Sequence, residues 1–352
     1  MADLSLPSRN PELLRRAGVT LALLAVVYAG SWVPLPGVDV EPLIGPTPVH
    51  NTAVQRLSLM SLGITPLLSA LILAEVAMIA APPFRRWVGV GNNRDVLAEW
   101  TTVVALLLAA YQANGIAVAL EGIRGLVDAP GLIFRIGIVV SLVGATALLI
   151  WLASLVSRHG IGNGFWILVA LPHVASFVQA LIAQGTHWGP AGLLSVATSI
   201  AFLALAAAVL AALTLTTPPL ADPEEVPWAI ILGFGAASVL LFAPVLLLWL
   251  AGADVSGFDL EAMLASRSAI LLPVLTVPLV ILLRRRSFGS APWAAPAMPL
   301  ALAVACLVAA ATAFAYLPDP PLFPPPAVPL MLAAVGLAVA SSLRAGKASG
   351  TT

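Results

Sequence analysis

Charge and cysteine are what this sequence has least of. Asp, Glu, Lys and Arg make up 9% of its 352 residues, 16 acidic against 16 basic, for a net charge of zero. So little charge excludes a soluble globular domain. A zero balance gives no field for nucleic acid, which is not expected as a partner. The one cysteine, Cys306, excludes an internal disulfide and a Cys-rich metal site. It lies in an apolar stretch and reads as a small core residue. His50, His159, His173 and His187 are scattered, and no two have metal-ligand spacing. No Walker A, G-x-S-x-G or zincin motif occurs. Gly160-Ile161-Gly162-Asn163-Gly164 is not a dinucleotide fingerprint and precedes an apolar run rather than a Rossmann helix. No catalytic residue, cofactor or metal is expected.

Apolar residues are what remain: 60% of the chain, with a mean hydropathy of +1.03. Ten segments can cover a bilayer, which takes ~20 helical residues each. They are 14–34, 62–81, 100–120, 132–156, 163–184, 191–214, 228–250, 268–283, 294–316 and 327–343. The eighth is short and is interrupted by Pro273 and Pro278. Arg9, Arg15 and Arg16 before the first run mimic a signal peptide, but no A-x-A cleavage pattern follows, so the run reads as a retained span.

Basic residues orient the spans. With the N-terminus inside, the inner segments hold Arg9, Arg15, Arg16, Arg85, Arg86, Arg94, Arg158, Arg284, Arg285, Arg286, Arg344 and Lys347. The outer ones hold only Arg56, Arg124, Arg135 and Arg267. Both termini are therefore expected in the cytoplasm. Gln184 to Pro190 is the one Gly-rich break near the middle, with five spans on either side. An odd number per half places the halves in opposite orientation, as in an inverted repeat. The expected division is 1–184, a hinge loop at 185–190, and 191–352.

Three stretches stand out. Trp32-Val33-Pro34-Leu35-Pro36-Gly37-Val38-Asp39 ends the first span. Ser61-Leu62-Gly63-Ile64-Thr65-Pro66-Leu67-Leu68-Ser69-Ala70 opens the second. Arg158-His159-Gly160-Ile161-Gly162-Asn163-Gly164 leads into the fifth. Pro66 one turn inside the second run predicts a kinked, slim helix start that lines a gap, and the competing reading is a helix that simply begins at a proline. Together the stretches resemble the SecY family, the channel subunit of the protein translocon. Its members carry P-x-P-G-[IV]-D, L-G-I-x-P-x-[IL]-S-A and R-G-I-G-N-G in that order. Asn93-Arg94-Asp95 and Tyr111-Gln112-Ala113-Asn114-Gly115-Ile116-Ala117 are also similar to the family's third span.

The resemblance implies an all-α polytopic membrane protein of about ten transmembrane helices, a clamshell of two inverted five-helix halves. It implies a channel subunit in the inner (plasma) membrane, multi-pass, that passes polypeptide across the membrane or releases it into the lipid. Its pore constriction would fall at Ile64 and Leu68 on the second span and Phe165 and Val169 on the fifth. Leu240 and Leu241 on the seventh and Leu330 on the tenth would complete it. Such a ring of apolar side chains dewets when empty and stops ions. Glu75, the acidic residue well inside a span, falls where family members tend to have a glutamine near the lateral gate; it reads either as a gate or partner-binding group facing a cavity, or as a carboxyl near the inner surface that is protonated or paired with Arg85 or Arg86. The implied partners are a translocating polypeptide, a small SecE-like membrane subunit and membrane lipid; a motor ATPase is left open.

Two departures shape the expectation. Asp39 to Leu62 is short, and Pro42, Pro46 and Pro48 leave room for at most a turn or two of a plug helix, between Thr52 and Ser61. The loops Thr216–Pro227 and Arg284–Pro292 are also short. The first carries Asp222, Glu224 and Glu225 and no basic residue, which repels an RNA surface. Docking to a ribosome in the usual way is therefore not expected. Arg284 to Arg286 suit anchoring at anionic lipid. The chain reads as a divergent paralogue. A competing class is a secondary transporter of a small solute with inverted-repeat architecture, built around Thr65, Ser69 and Glu75. A lipid-facing enzyme or scaffold would have to use Asp254, Asp259 and Glu261, which read more simply as a solvated loop.

Overall fold

The computed structural model describes residues 11–39, 57–123, 125–186, 197, 200–209, 211, 225–252, 267–288, 303–310 and 330–340. Among them the structure is helical, with two isolated β-bridges, Pro34 to Ser58 and Val38 to Val127, and no strand. The chain forms two compact units, Met1–Val169 and Ala170–Thr352.

The first unit holds α1 (Pro11–Gly30), α2 (Thr65–Ala80), α3 (Pro82–Val88), α4 (Asn93–Glu121), α5 (Leu132–His159) and the start of α6 (Gly164–Thr186). Its centre is the α4–α5 hairpin. Along α4 the buried positions include Thr101, Ala105, Ala109, Ala113 and Ala117, four apart and hence on one stripe, with Leu120 at its end. Alanines there let α5 come close with Phe134, Ile138, Leu142 and Leu149. This is the packing expected where lipid, not water, surrounds the helices and small residues make the interface. The opposite flank is also apolar: Trp100, Val103, Leu107 and Tyr111 on α4 and Ile133, Ile136, Val140 and Trp151 on α5 are exposed. Two buried hydroxyls of the hairpin are satisfied within their own helix: Thr101 and Thr146 donate to the carbonyls of Leu97 and Leu142. Both α4 and α5 are long and apolar enough to cross a membrane.

The second span departs from the expected kink. Its helix begins at Thr65, with Pro66 in the first turn, buried, and Ile64 as the preceding residue. In the first turn a missing N–H costs nothing, so the proline opens the helix rather than bending it. The bend lies at the other end, where α2 and α3 meet at 115°. Ala81 precedes Pro82 and is extended (φ −120°, ψ 90°), because a residue before proline is pushed out of the helical region. Taken as one broken span, α2 and α3 would add a third membrane-crossing element to α4 and α5 among the described residues.

The second unit holds the rest of α6, then α7 (Ile200–Val209), α8 (Glu225–Leu250), α9 (Arg267–Phe288), α10 (303–310) and α11 (Leu330–Ala340). Its most extensive pair is α8 with α9. The expected short, interrupted eighth span is instead a continuous helix of 22 residues with Pro273 and Pro278 inside it. Each proline removes one backbone bond only. In surroundings that offer no water, the helix is the way to satisfy the remaining groups. Thr276 adds a bond across the pair: its hydroxyl oxygen lies 2.7 Å from the Gly233 carbonyl oxygen and 3.0 Å from that of Leu272, and its one proton is shared between them. A described helix falls within each of the ten expected segments, but among the described residues only α4 and α5, or three elements with α2 and α3 taken together, are long and apolar enough to cross a membrane. Helix α6 includes Gly185 and Thr186, the first two residues of the expected hinge loop; 187–190 lie outside the described residues.

Candidate functional site

The three stretches picked out above are structural joints of the first unit. The first, 32–39, folds over the α4–α5 turn. Asp39 N–H donates to Leu126 O at 2.9 Å, and Leu35 N–H donates to Leu57 O at 3.0 Å. Leu59 N–H returns to Val33 O at 2.9 Å, so the chain after the first span and the chain before the second are tied together. Leu35 and Val38 enter the core beside Ala117, Leu120 and Phe134. Gly37 has φ +75°, and a Cβ there would stand 3.2 Å from the Phe134 ring, so the turn takes glycine on both counts. At the same end Arg135 donates twice to Glu121 Oε2, at 2.8 and 2.6 Å, and Glu121 Oε1 accepts from Gly131 N–H at 2.8 Å. The pair pins α5 to α4 where the hairpin turns.

The second stretch supplies the start of α2. Residues 57–64 form consecutive turns, while 40–56 lie outside the described residues, so the expected reduced plug is seen only in its last part, without a helix there. Ile64 is 6% exposed and Leu68 is half-buried. Leu68 N–H donates to Ile64 O at 3.1 Å, which places the two one turn apart on the same side of the helix. Glu75 sits two turns further along α2, half-buried, with Oε2 shielded from solvent.

The third stretch is the joint between α5 and α6. Gly160 follows the last turn of α5, in which Arg158 and His159 suit the negative end of the helix. A Cβ on Gly160 would meet the Thr20 hydroxyl at 2.5 Å, and one on Gly164 would run into the Ala153 carbonyl and Val156. Three N–H groups around this turn are accepted by side chains, and Gly160 N–H donates to Val156 O at 2.7 Å. Thr20 Oγ1 accepts from Ile161 at 2.9 Å, Ser157 Oγ from Gly164 at 2.8 Å, and Asn163 Oδ1 from Phe165 at 2.9 Å. Phe165 is half-buried and packs edge-on against Trp166, with ring centres 4.9 Å apart; Val169 is 6% exposed.

In the second unit, Leu240 and Leu241 lie together on α8, the first 54% exposed and the second half-buried. Leu330, at the start of α11, is fully buried. His50 and His187 lie outside the described residues, and among those described no group of His, Cys, Asp or Glu could hold a metal. Cys306, expected as a core residue, is exposed on α10. Thr20 and Ser157 are the residues the sequence did not disclose. A single hydroxyl in an apolar run carries no pattern, although glycines too crowded for a side chain require some nearby acceptor for their N–H groups.

The SecY family model matches residues 58–218, which contain the second and third stretches and the whole α4–α5 hairpin. The likeness to the SecY family lies in residues 58–218, just under half of the chain. The protein translocase subunit SecY of Escherichia coli K12 is 32% identical over 186 residues, 48% of this chain and 42% of that protein. The SecY subunit of Buchnera aphidicola from Acyrthosiphon kondoi is also 32% identical over 186 residues, 48% of this chain and 52% of its own. That of Rickettsia conorii is 27% identical over 190 residues. The chain spans about half the length of the curated relatives it matches.

Among solved structures, a SecY channel described for its plug domain and membrane seal aligns with 99% of this chain and 96% of its own. Its TM-score is 0.56 at 12% identity. A protein-conducting channel gives 0.55 at 14%, and Sec61 in the canine ribosome-channel complex gives 0.54 at 13%. At such identities the likeness is one of fold. The family is one of channels rather than enzymes.

Proposed function

We propose that this chain is a SecY-like protein-conducting channel subunit in the inner membrane, passing polypeptide across the membrane or releasing it sideways into the lipid. The family match over residues 58–218 carries the reading, because it covers the residues that build the joint into α6 and the start of α2. Those two helices bear Ile64, Leu68, Phe165 and Val169, each pair one turn apart. With Leu240, Leu241 and Leu330 they form the apolar constriction, which seals by dewetting when no chain is present. Glu75 tunes the gate.

The architecture proposed is about ten spans in two inverted halves, 1–184 and 191–352, hinged at 185–190. Both termini face the cytoplasm. In support, Arg15, Arg16, Arg85, Arg86, Arg94 and Arg158 all belong to the α3–α4 end of the first unit, while Arg135 lies at the other end. The partners are a translocating polypeptide and a SecE-like small subunit. The acidic sequence Asp222, Glu224 and Glu225, the last of which opens α8, argues for a driver other than the ribosome. The chain carries no chemistry of its own.

Affinity purification from native membranes in mild detergent tests the reading. Recovery of a SecE-like subunit, with or without a motor ATPase, is the expected result. Recovery of no such subunit, at a yield where the host's own SecY retains its partner, would overturn it.

A further inference from the structure

Helix α6 carries two of the proposed constriction residues, so whatever sets its rotation sets where they point. Its first turn is held from outside the helix. Thr20, in the middle of α1 and 8% exposed, donates its hydroxyl proton to the Arg16 carbonyl at 3.0 Å. The same oxygen accepts the Ile161 N–H at 2.9 Å, across 141 residues of sequence. Donating to its own helix fixes the hydroxyl rotor, and its lone pairs then face the α5–α6 turn. The turn has nowhere else to go. Gly160 lies against the Thr20 oxygen and the Val156 carbonyl so closely that a Cβ would not fit, and Gly164 is pressed as tightly onto α5. Ser157 repeats the device from α5, donating to Ala153 O at 3.0 Å and accepting from Gly164 N–H at 2.8 Å.

We propose that Thr20 is a positioning residue of the channel: its bond to Ile161 locks the α5–α6 turn against α1 and thereby fixes the rotational setting of Phe165 and Val169. The inference rests on the channel reading for what those two residues do, and on geometry alone for how they are held. A serine, which keeps the hydroxyl, performs the same task. Valine has the same shape without the bond, so it frees the turn while filling the space.

The test uses the full chain with Cys306→Ser and Phe165→Cys, reconstituted in lipid vesicles. In the parent the Ile161 amide is protected from hydrogen exchange. Thr20→Val is expected to speed that exchange about tenfold. It is also expected to change several-fold the rate at which a water-soluble maleimide labels residue 165, with the melting temperature within a few degrees of the parent. Thr20→Ser restores both rates. An Ile161 amide that exchanges freely in the unsubstituted chain overturns the proposal, and this holds even if Thr20→Val does not fold. Faster exchange with unchanged labelling also overturns it, since Thr20 would then hold the turn alone. Ion leak from the same vesicles separates the two layers of the argument. Altered labelling with raised leak supports both, whereas altered labelling with unchanged leak supports the positioning and counts against the channel reading.

Discussion

Gly233 of α8 and Val277 of α9 are in backbone contact: a Cβ on Gly233 would stand 2.5 Å from the Val277 Cα. Backbone cannot swing aside as a flexible side chain can. Gly233→Val is therefore expected to destabilise the chain by about 1–3 kcal/mol through overpacking. Gly235, one residue pair along the same helix, has nothing within 4 Å of its would-be Cβ. Gly235→Ala should be neutral or stabilising by up to about 1 kcal/mol, since glycine is the poorer helix former. Thermal melting of both variants in detergent checks the contrast, and equal effects would show that α8 and α9 are not packed this closely.

At the start of α1, Glu12 accepts hydrogen bonds from Arg15 at 3.0 and 2.9 Å and from Arg16 at 2.9 Å. The Arg15 bond first, and the Arg16 bond second, lower its pKa from 4.5 to about 2. A carboxyl depressed on folding contributes stability above its unfolded pKa and loses it as pH falls through the folded value. The fastening of this first turn should thus hold down to pH 4.5 and weaken between there and pH 2. Carboxyl NMR should show Glu12 titrating near 2. In the Arg15→Gln, Arg16→Gln double variant the midpoint should return toward 4.5.

The constriction predicts a leak phenotype. Leu68→Asn and Val169→Asn would place an amide where the proposed pore must stay dry, and water would then carry ions through. Each variant should raise passive ion conductance of vesicles several-fold over the parent, while Val140→Asn, on the exposed flank of α5, should not. Fluorescence of a vesicle-entrapped ion indicator reads the difference. Conductance unchanged in all three would remove these residues from the pore.

Glu75 holds a carboxyl within an apolar helix, one oxygen shielded from solvent. If Glu75 lines the proposed gate, an ionised carboxyl there would oppose dry packing of the closed state. Glu75→Gln should favour the closed state and lower the open probability in planar bilayers several-fold, with the fold intact. An unchanged open probability would make Glu75 a structural residue.

Much of the fold could be read because it rests on long apolar runs. Lipid leaves the backbone few alternatives to a helix, so a stretch such as Leu132–His159 specifies its element almost by itself. Spacing put Ile64 and Leu68 one turn apart, and Leu68 N–H donates to Ile64 O. The prolines were harder. Pro66 opens its helix, Pro273 and Pro278 are absorbed inside one, and the sharp bend comes at Ala81 before Pro82. What a proline does depends on where the helix starts and on which neighbours take up the freed carbonyl, and neither is local information. The same limit applies to the site. The crowding at Gly160 and Gly164 could be suspected from three glycines in five residues, but the hydroxyl that serves them lies on another helix. The amphipathic signal that would orient Leu240 or Leu330 is weak, because core and lipid select the same side chains.

Site-specific crosslinking to a translocating chain tests the central claim most directly. A photoreactive amino acid replaces Leu68 or Phe165 in one set of cells and Val140 in another, and a secretory polypeptide is arrested midway by a folded domain at its C-terminus. The channel reading predicts crosslinks to the arrested chain from positions 68 and 165 and none from 140. Absence of crosslinks from 68 and 165, in membranes where the host's own SecY crosslinks the same chain, would contradict it.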